Sequence, residues 1–290
     1  MRYEDILQNL DQILEFCDEL DLGNKAKNSR FATYRKQIMG LIELLRVQPI
    51  PSELAEQENE YRIALTESME FGALLPYLQQ CDRACVSPKI EECLDGPILP
   101  NDESMISNRA RNIQFELYLA STLWRAGLQP ILGEHPDLKC QVDGKWFFFE
   151  CKRVFSANNI KNRIHEARRQ LRKHRSLAPQ GAREIVAISL SKAFNPAHRA
   201  IHSLGQDYAR KRLGEYLHSL DKSMEEEFAK LSFQKITAIL YHAASSFENF
   251  SPPRFEFCDQ FLYRLLALPA QPGALASLKL ANAMKALALQ

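Results

Sequence analysis

Two carboxylates and a lysine stand close together in the middle of the chain, at Asp137, Glu150 and Lys152. Two carboxylates a few ångströms apart repel each other unless a cation joins them. Mg²⁺ takes one or two carboxylates together with waters and phosphate oxygens. A lysine beside such a cation can orient or deprotonate an attacking water and offset phosphate charge. If the three side chains meet, they suit metal-assisted attack on a phosphodiester, with Mg²⁺ or Mn²⁺ as the cofactor.

A hairpin is the element that must bring these side chains together. Residues 145–149 (KWFFF) predict a strand that ends at Glu150, and alternation along a strand points Glu150 and Lys152 to the same face. Asp143-Gly144 predicts a two-residue turn between this strand and the preceding one. Asp137 and Glu150 lie equally far from that turn, so we expect them to face each other.

An ordinary structural explanation competes with this interpretation. Glu150 and Lys152 could be strand-end charges on a solvated face. The apolar run before them, at residues 147–149, argues against it, because such runs are typical of central strands that are covered on both faces. His135, directly before Pro136-Asp137, is open between two roles, contact with a substrate and capping of the strand.

Glu116 is a further candidate site residue. It lies in a helix predicted over residues 108–126, close to an apolar stripe formed by Ile113, Leu117 and Ala120. This position favours a role in the site. The competing interpretation is an exposed helical charge that pairs with an arginine of the same helix, either Arg109, Arg111 or Arg125.

A basic helix is predicted to follow the strand, over about Asn158 to Arg175. Residues 152–175 contain nine Lys/Arg and one acid, Glu166. The apolar stripe of this predicted helix leaves a basic flank on each side. A helix that lies beside a metal site and has basic flanks suits binding to a phosphate backbone. A solvated helix with an ordinary excess of charge is the alternative. The candidate nucleic-acid-binding residues, drawn from both flanks, are Lys161, Arg163, Arg168 and Arg172.

The remaining pattern predicts the fold class. From residue 108 the predicted order is helix, three strands, helix, strand, helix, strand. Such alternation implies an α/β fold with a mixed central sheet flanked by helices. The strands are predicted at Leu128–Leu132, Leu138–Val142, Lys145–Phe149, Glu184–Leu190 and Ile236–His242, and the later helix over about 198–230.

Three regions are predicted. Residues 1–95 show only helical periodicity and form an all-helical N-terminal region. Residues 86–104 contain three prolines and predict a connector. Residues 96–250 form the α/β domain, and residues 251–290, whose end is rich in Ala and Leu, are predicted as a helical tail.

The motif Pro136-Asp137 with Glu150-Cys151-Lys152 resembles the PD-(D/E)XK nuclease superfamily, which has the restriction-endonuclease-like fold. The resemblance covers about residues 108–190. It implies a metal-dependent nuclease that acts on DNA, with Asp137 and Glu150 as metal ligands and Lys152 as the catalytic lysine. It also implies that Glu116 is the additional acidic residue of the preceding helix and a further metal ligand, and that Gln170 is a site glutamine on the following helix. A homodimer is a further expectation.

Composition and net charge limit which other classes of protein the sequence allows. The net charge is +1, so binding to nucleic acid would depend on local basic patches. The acidic N-terminus has no apolar run, no stretch approaches the about 20 apolar residues of a membrane span, and the seven cysteines are expected to be reduced thiols. We therefore expect a cytoplasmic protein without a membrane partner. The alternative to a nuclease is a catalytically silent nucleic-acid-binding or assembly module of the same fold.

Overall fold

The computed structural model describes residues 2–46, 53–103, 108–175, 178–196, 201–232, 236–250, 253–266 and 274–287. The chain divides into two compact units. Unit 1 comprises Met1–Gln114, Ala197–Gln206 and Ser245–Phe257, and unit 2 comprises Phe115–Pro196, Asp207–Ala244 and Cys258–Gln290. Unit 1 thus contains the predicted N-terminal region, residues 1–95, and continues to Gln114.

The first described elements in the chain are helices, and strands and helices are interspersed after them. The helices are α1 Tyr3–Glu19, α2 Gly23–Ala26, α3 Arg30–Leu45, α4 Glu53–Gly72, α5 Leu75–Leu78, α6 Arg83–Leu94, α7 Arg109–Arg125, α8 Ile160–His174, α9 Ser191–Phe194, α10 Gln206–Ser223, α11 Glu225–Ser232 and α12 Ala274–Leu287. The strands are β1 Ile131–Leu132, β2 Leu138–Val142, β3 Lys145–Arg153, β4 Arg183–Ser189, β5 His202–Ser203, β6 Ile236–Phe250 and β7 Pro253–Leu265.

The N-terminal region is helical, as predicted. In α1 the buried side chains of Ile6, Leu10, Ile13 and Cys17 follow helical spacing and form one apolar face. Within the described residues no helix is both long and apolar enough to cross a membrane. All seven cysteines, each of which lies in the described part of the chain, are free thiols.

Unit 1 also contains a buried charged network that the sequence did not indicate. The Glu67 carboxylate accepts from Arg30 Nη1 at 2.5 Å and from Arg111 Nε at 3.0 Å. Arg111 also donates to Glu103 at 3.1 Å, and Arg30 donates to Gln114. All of these side chains are almost inaccessible to water, so each charge depends on its partners in this network.

The predicted connector at residues 86–104 is wrong for its first half. Helix α6 runs through this segment to Leu94 and contains Pro88. Proline lacks an N–H and weakens a helix interior. Burial of Val86, Ile90, Cys93 and Leu94 along one face of α6 outweighs this local preference.

Seven strands form one mixed sheet in the order β1-β2-β3-β4-β6-β5, and β7 also pairs with β6. The β1–β2 and β2–β3 pairs are antiparallel, whereas β3–β4, β4–β6 and β5–β6 are parallel. The predicted α/β class with a mixed sheet flanked by helices is confirmed. Helix α8 packs on β3 and β4 through Ile160, Ile164, Ala167 and Leu171, the predicted apolar stripe.

Several predicted elements differ from the structure; the strand predicted at Ile236–His242, for example, continues to Phe250 as β6. The first strand is only Ile131–Leu132, and the helix predicted over 198–230 is β5 followed by α10 and α11, with residues 198–200 outside the described part. The predicted helical tail is wrong for Pro253–Leu265, which forms β7. This segment is rich in aromatic residues that favour strands, and it finds a partner in β6. A helix does form at α12.

Candidate metal centre on the β2–β3 hairpin

The predicted hairpin is present and sets the position of the candidate site. Asp143 and Gly144 both have positive φ angles, 50° and 71°, which a two-residue turn of this kind requires. The register pairs Val142 with Lys145 and Leu138 with Phe149. One step further along this register, Asp137 lies beside Glu150, as predicted.

Three side chains converge at this end of the hairpin. Ligand atoms of His135, Asp137 and Glu150, one from each residue, lie within 4.8 Å of one another. Asp137 Oδ2 accepts the backbone N–H of Cys151 at 2.7 Å, which fixes the carboxylate against β3. Lys152 Nζ donates to Glu150 Oε1 at 2.8 Å. The structure thus brings together the three residues that the sequence selected and adds His135.

Glu150 is the most constrained of these groups. It is 1% exposed, and its Oε2 has no hydrogen-bond partner among the described residues. Burial, and then the neighbouring charge of Asp137, raise its pKa to about 7, against the lowering effect of Lys152. A buried acceptor without a partner is costly unless a cation or donor satisfies it. Two carboxylates and one imidazole are a donor set that fits a divalent cation.

Burial and the neighbouring carboxylates have opposing effects on the pKa of Lys152. Its side chain is 13% exposed, and burial by itself lowers its pKa. The carboxylates of Glu150 and Asp137 outweigh burial, so the net pKa is raised, and Glu166 adds to the rise. The lysine is therefore a cation and a hydrogen-bond donor while the two carboxylates keep their negative charge.

One face of α8 lies against this site. The His174 ring stacks on the His135 ring, with centroids 4.4 Å apart and planes 10° apart. Gln170 lies one turn before His174 on the same face, and its buried Oε1 has no hydrogen-bond partner in the described part of the chain. Arg163 donates to Glu166 at 2.6 Å on this face, so Arg163 is not on the outer side of the helix with the other candidate arginines.

Glu116 is buried in α7, at 6% exposed, and its charge helps to raise the pKa of the buried Cys151 thiol. It therefore lies near the end of β3. It is not one of the three groups whose ligand atoms lie within 4.8 Å of each other, so its role as a metal ligand stays a prediction. Arg109 pairs with Glu92, and Arg125 donates to the Thr122 hydroxyl at 3.4 Å.

The outer flank of α8 lines an open hollow of about 510 Å³. Its lining residues are Asn162, His165, Arg168, Arg169 and Arg172. Two of the predicted nucleic-acid-binding residues, Arg168 and Arg172, are therefore at this hollow. Lys161 is instead engaged with Glu227 Oε2 at 2.8 Å, and the same carboxylate faces His165 Nε2 at 2.9 Å.

Three residues near the site were not selected from the sequence: His135, Glu166 and His174. The role of His135 was left open, and its adjacency to Pro136-Asp137 was the only local signal. Glu166 is four residues before Gln170, and His174 four residues after it, so helical spacing from Gln170 could have placed both on the site-facing side of α8.

Comparison of the chain with protein-family models, with curated proteins and with solved structures gave no match. The resemblance to the PD-(D/E)XK superfamily therefore stays a prediction from the residues, and the geometry of the hairpin site is the structural observation that bears on function.

Proposed function

We propose that this protein is a divalent-metal-dependent nuclease that hydrolyses phosphodiester bonds in DNA. The observation that carries the proposal is the buried Glu150 carboxylate, whose Oε2 has no partner among the described residues, in a group with Asp137 and His135. A structural carboxylate would be expected to have all its acceptors satisfied. A carboxylate that binds a cation would instead keep one oxygen without a hydrogen-bond donor from the protein.

The residues of the hairpin have separate roles in this proposal. Asp137 and Glu150 hold Mg²⁺ or Mn²⁺, which supplies Lewis acidity to a phosphate oxygen and to water. Lys152 orients the attacking water and offsets the charge that develops on the phosphate. The Cys151 N–H, which donates to Asp137 Oδ2, keeps that carboxylate in place while the substrate enters.

Two further features support a nucleic-acid substrate. The basic hollow on α8 belongs to the same helix whose other face lies against the site, so a bound strand could contact Arg168 and Arg172 through its phosphates. The buried Gln170 Oε1 has no hydrogen-bond partner among the described residues, which supports a role for this amide in orienting water or substrate. The order α7, β1, β2, β3, α8, β4 also supports the restriction-endonuclease-like fold that the resemblance implies.

The test is cleavage of plasmid, linear duplex and single-stranded DNA in the presence of Mg²⁺, Mn²⁺ or EDTA. We expect metal-dependent cutting by the wild type and a loss of at least about 100-fold in rate for Lys152→Ala, since the lysine acts on the transition state. The preferred substrate would define the specificity class.

Lys145→Ala is the matched control. Lys145 is on the same strand as Lys152 but is exposed at the turn end, so this variant should cut like the wild type. Equal rates for wild type and Lys152→Ala would remove the lysine from the mechanism. A protein that binds DNA but neither binds metal nor cuts would instead be the catalytically silent module.

A further inference from the structure

The His135 ring lies beside the two carboxylates of the hairpin site. One of its ring nitrogens lies within 4.8 Å of carboxylate oxygens of both Asp137 and Glu150. A neutral imidazole has one nitrogen that carries a proton and one that accepts, and the accepting nitrogen is the one that binds metals. An imidazole at the edge of two carboxylates therefore completes a three-donor face.

The ring of His135 is also held in orientation. The His174 ring lies nearly parallel to it at 4.4 Å between centroids, and His174 belongs to the last turn of α8. Since α8 packs on β3 and β4, this contact connects the His135 ring to the same core that positions Glu150. His135 is itself exposed, but a ring stacked on a neighbour loses less conformational freedom when it binds a cation than an unstacked surface histidine does.

The second observation that points to a cation comes from the other side of the group. Glu150 is buried, and its Oε2 has no partner among the described residues. An open acceptor beside an imidazole and a second carboxylate favours a cation at that point, because a cation satisfies all three groups at once. The site therefore offers two oxygen donors and one nitrogen donor to the same ion.

We propose that His135 is the third protein ligand of this centre and that its imidazole makes the centre select Mn²⁺ over Mg²⁺. Mg²⁺ prefers oxygen ligands and retains its waters, whereas Mn²⁺ accepts imidazole nitrogen more readily and dehydrates more easily. The inference rests on the proposed function in one respect, namely that Asp137 and Glu150 bind a divalent cation.

The test uses the full chain and each metal by itself. Isothermal titration calorimetry gives the affinities for Mn²⁺ and Mg²⁺, and pulsed electron paramagnetic resonance detects the magnetic coupling between bound Mn²⁺ and a ligand nitrogen. We expect the wild type to bind Mn²⁺ at least about tenfold more tightly than Mg²⁺ and to show nitrogen coupling. His135→Ala should lose about tenfold in Mn²⁺ affinity, lose the coupling and change little in Mg²⁺ affinity.

Two further variants make the result specific. His135→Asp replaces nitrogen with oxygen and should bring the affinities for the two metals closer together. His218→Ala removes an exposed histidine of α10 and should behave as the wild type. Circular dichroism melts of each variant show whether the chain is still folded.

Nitrogen coupling that persists in folded His135→Ala, or an unchanged Mn²⁺ affinity in that variant, would overturn the inference. Binding of Mn²⁺ that requires Asp137 and Glu150 but shows no nitrogen coupling would also overturn it while leaving the proposed function intact. Failure of the wild type to bind either metal would contradict the proposed function as well.

Discussion

Glu150→Gln is expected to make the protein more stable at alkaline pH while abolishing its metal binding. The substitution keeps the size of the side chain and an oxygen that can accept from Lys152 Nζ. It removes only the negative charge, which is buried and only partly compensated. In most proteins the removal of a buried, ion-paired carboxylate destabilises the fold, so the expected direction is unusual and informative.

The size of the effect follows from the pKa of Glu150. A rise in pKa from 4.5 to about 7 corresponds to about 3 kcal/mol of differential interaction. Because the folded-state pKa is the higher one, the folded protein holds this proton more tightly than the unfolded chain. The resulting stability is fully present below pH 4.5 and is lost as the pH rises through about 7. At about pH 8 the variant should therefore be more stable by up to about 3 kcal/mol, and near pH 4 the two should be equal.

The assay is urea denaturation followed by tryptophan fluorescence, in EDTA, at several pH values. Both tryptophans of the chain, Trp124 and Trp146, lie in unit 2, so the signal reports on the unit that contains Glu150. Addition of Mn²⁺ to about 100 times its dissociation constant should stabilise the wild type by about 2.7 kcal/mol and leave the variant unchanged.

A second buried carboxylate provides the control. Glu184 on β4 is 6% exposed, and both its oxygens accept from Arg175, one of them at 2.6 Å. Glu184→Gln should destabilise the protein by about 1–3 kcal/mol at about pH 8, the opposite direction. If Glu150→Gln were less stable than the wild type at that pH without metal, Lys152 would be a sufficient partner for the carboxylate, and the argument for an awaited cation would fail.

Two other predictions concern the basic hollow and the buried network of unit 1. Replacement of Arg168 and Arg172 by Ala should weaken DNA binding, as measured by fluorescence anisotropy, and reduce the slope of log affinity against log salt by about 2. An unchanged slope would mean that the hollow does not contact phosphate. Glu67→Ala should destabilise the protein by about 3–5 kcal/mol, because it leaves Arg30 and Arg111 charged and buried, and denaturation followed by far-UV circular dichroism measures the change. A loss of stability below about 1 kcal/mol would show that water enters the network.

The parts of the fold that were predictable are those set by local pattern. The turn at Asp143-Gly144 fixes the register of β2 and β3, and the alternation along β3 then fixes which side chains share a face. The apolar stripe of α8 was visible in the same way, because its period is that of one helix and does not depend on a partner. These two local rules were sufficient to bring Asp137, Glu150 and Lys152 together.

The errors arose where long-range pairing overrides local preference. Pro253–Leu265 becomes a strand because β6 offers it an edge, and nothing within residues 251–290 shows that β6 continues to Phe250. Helix α6 continues past Pro88 because its apolar face is buried, and burial is not written in the local sequence. The charged network around Glu67 was hidden for the same reason, since arginine and glutamate in a helix are expected at the surface.

Local pattern identifies the site residues, but their chemical state depends on long-range packing. Spacing identifies Glu150 and Lys152 as neighbours, but it describes a surface ion pair equally well. Only the packing of β3 in the sheet and under α8 leaves Glu150 Oε2 buried and without a hydrogen-bond donor among the described residues. It also adds His135, whose ring stacks on that of His174, a residue on a different element. The sequence thus indicates which side chains meet, whereas the burial of Glu150 supports the proposal that a cation binds there.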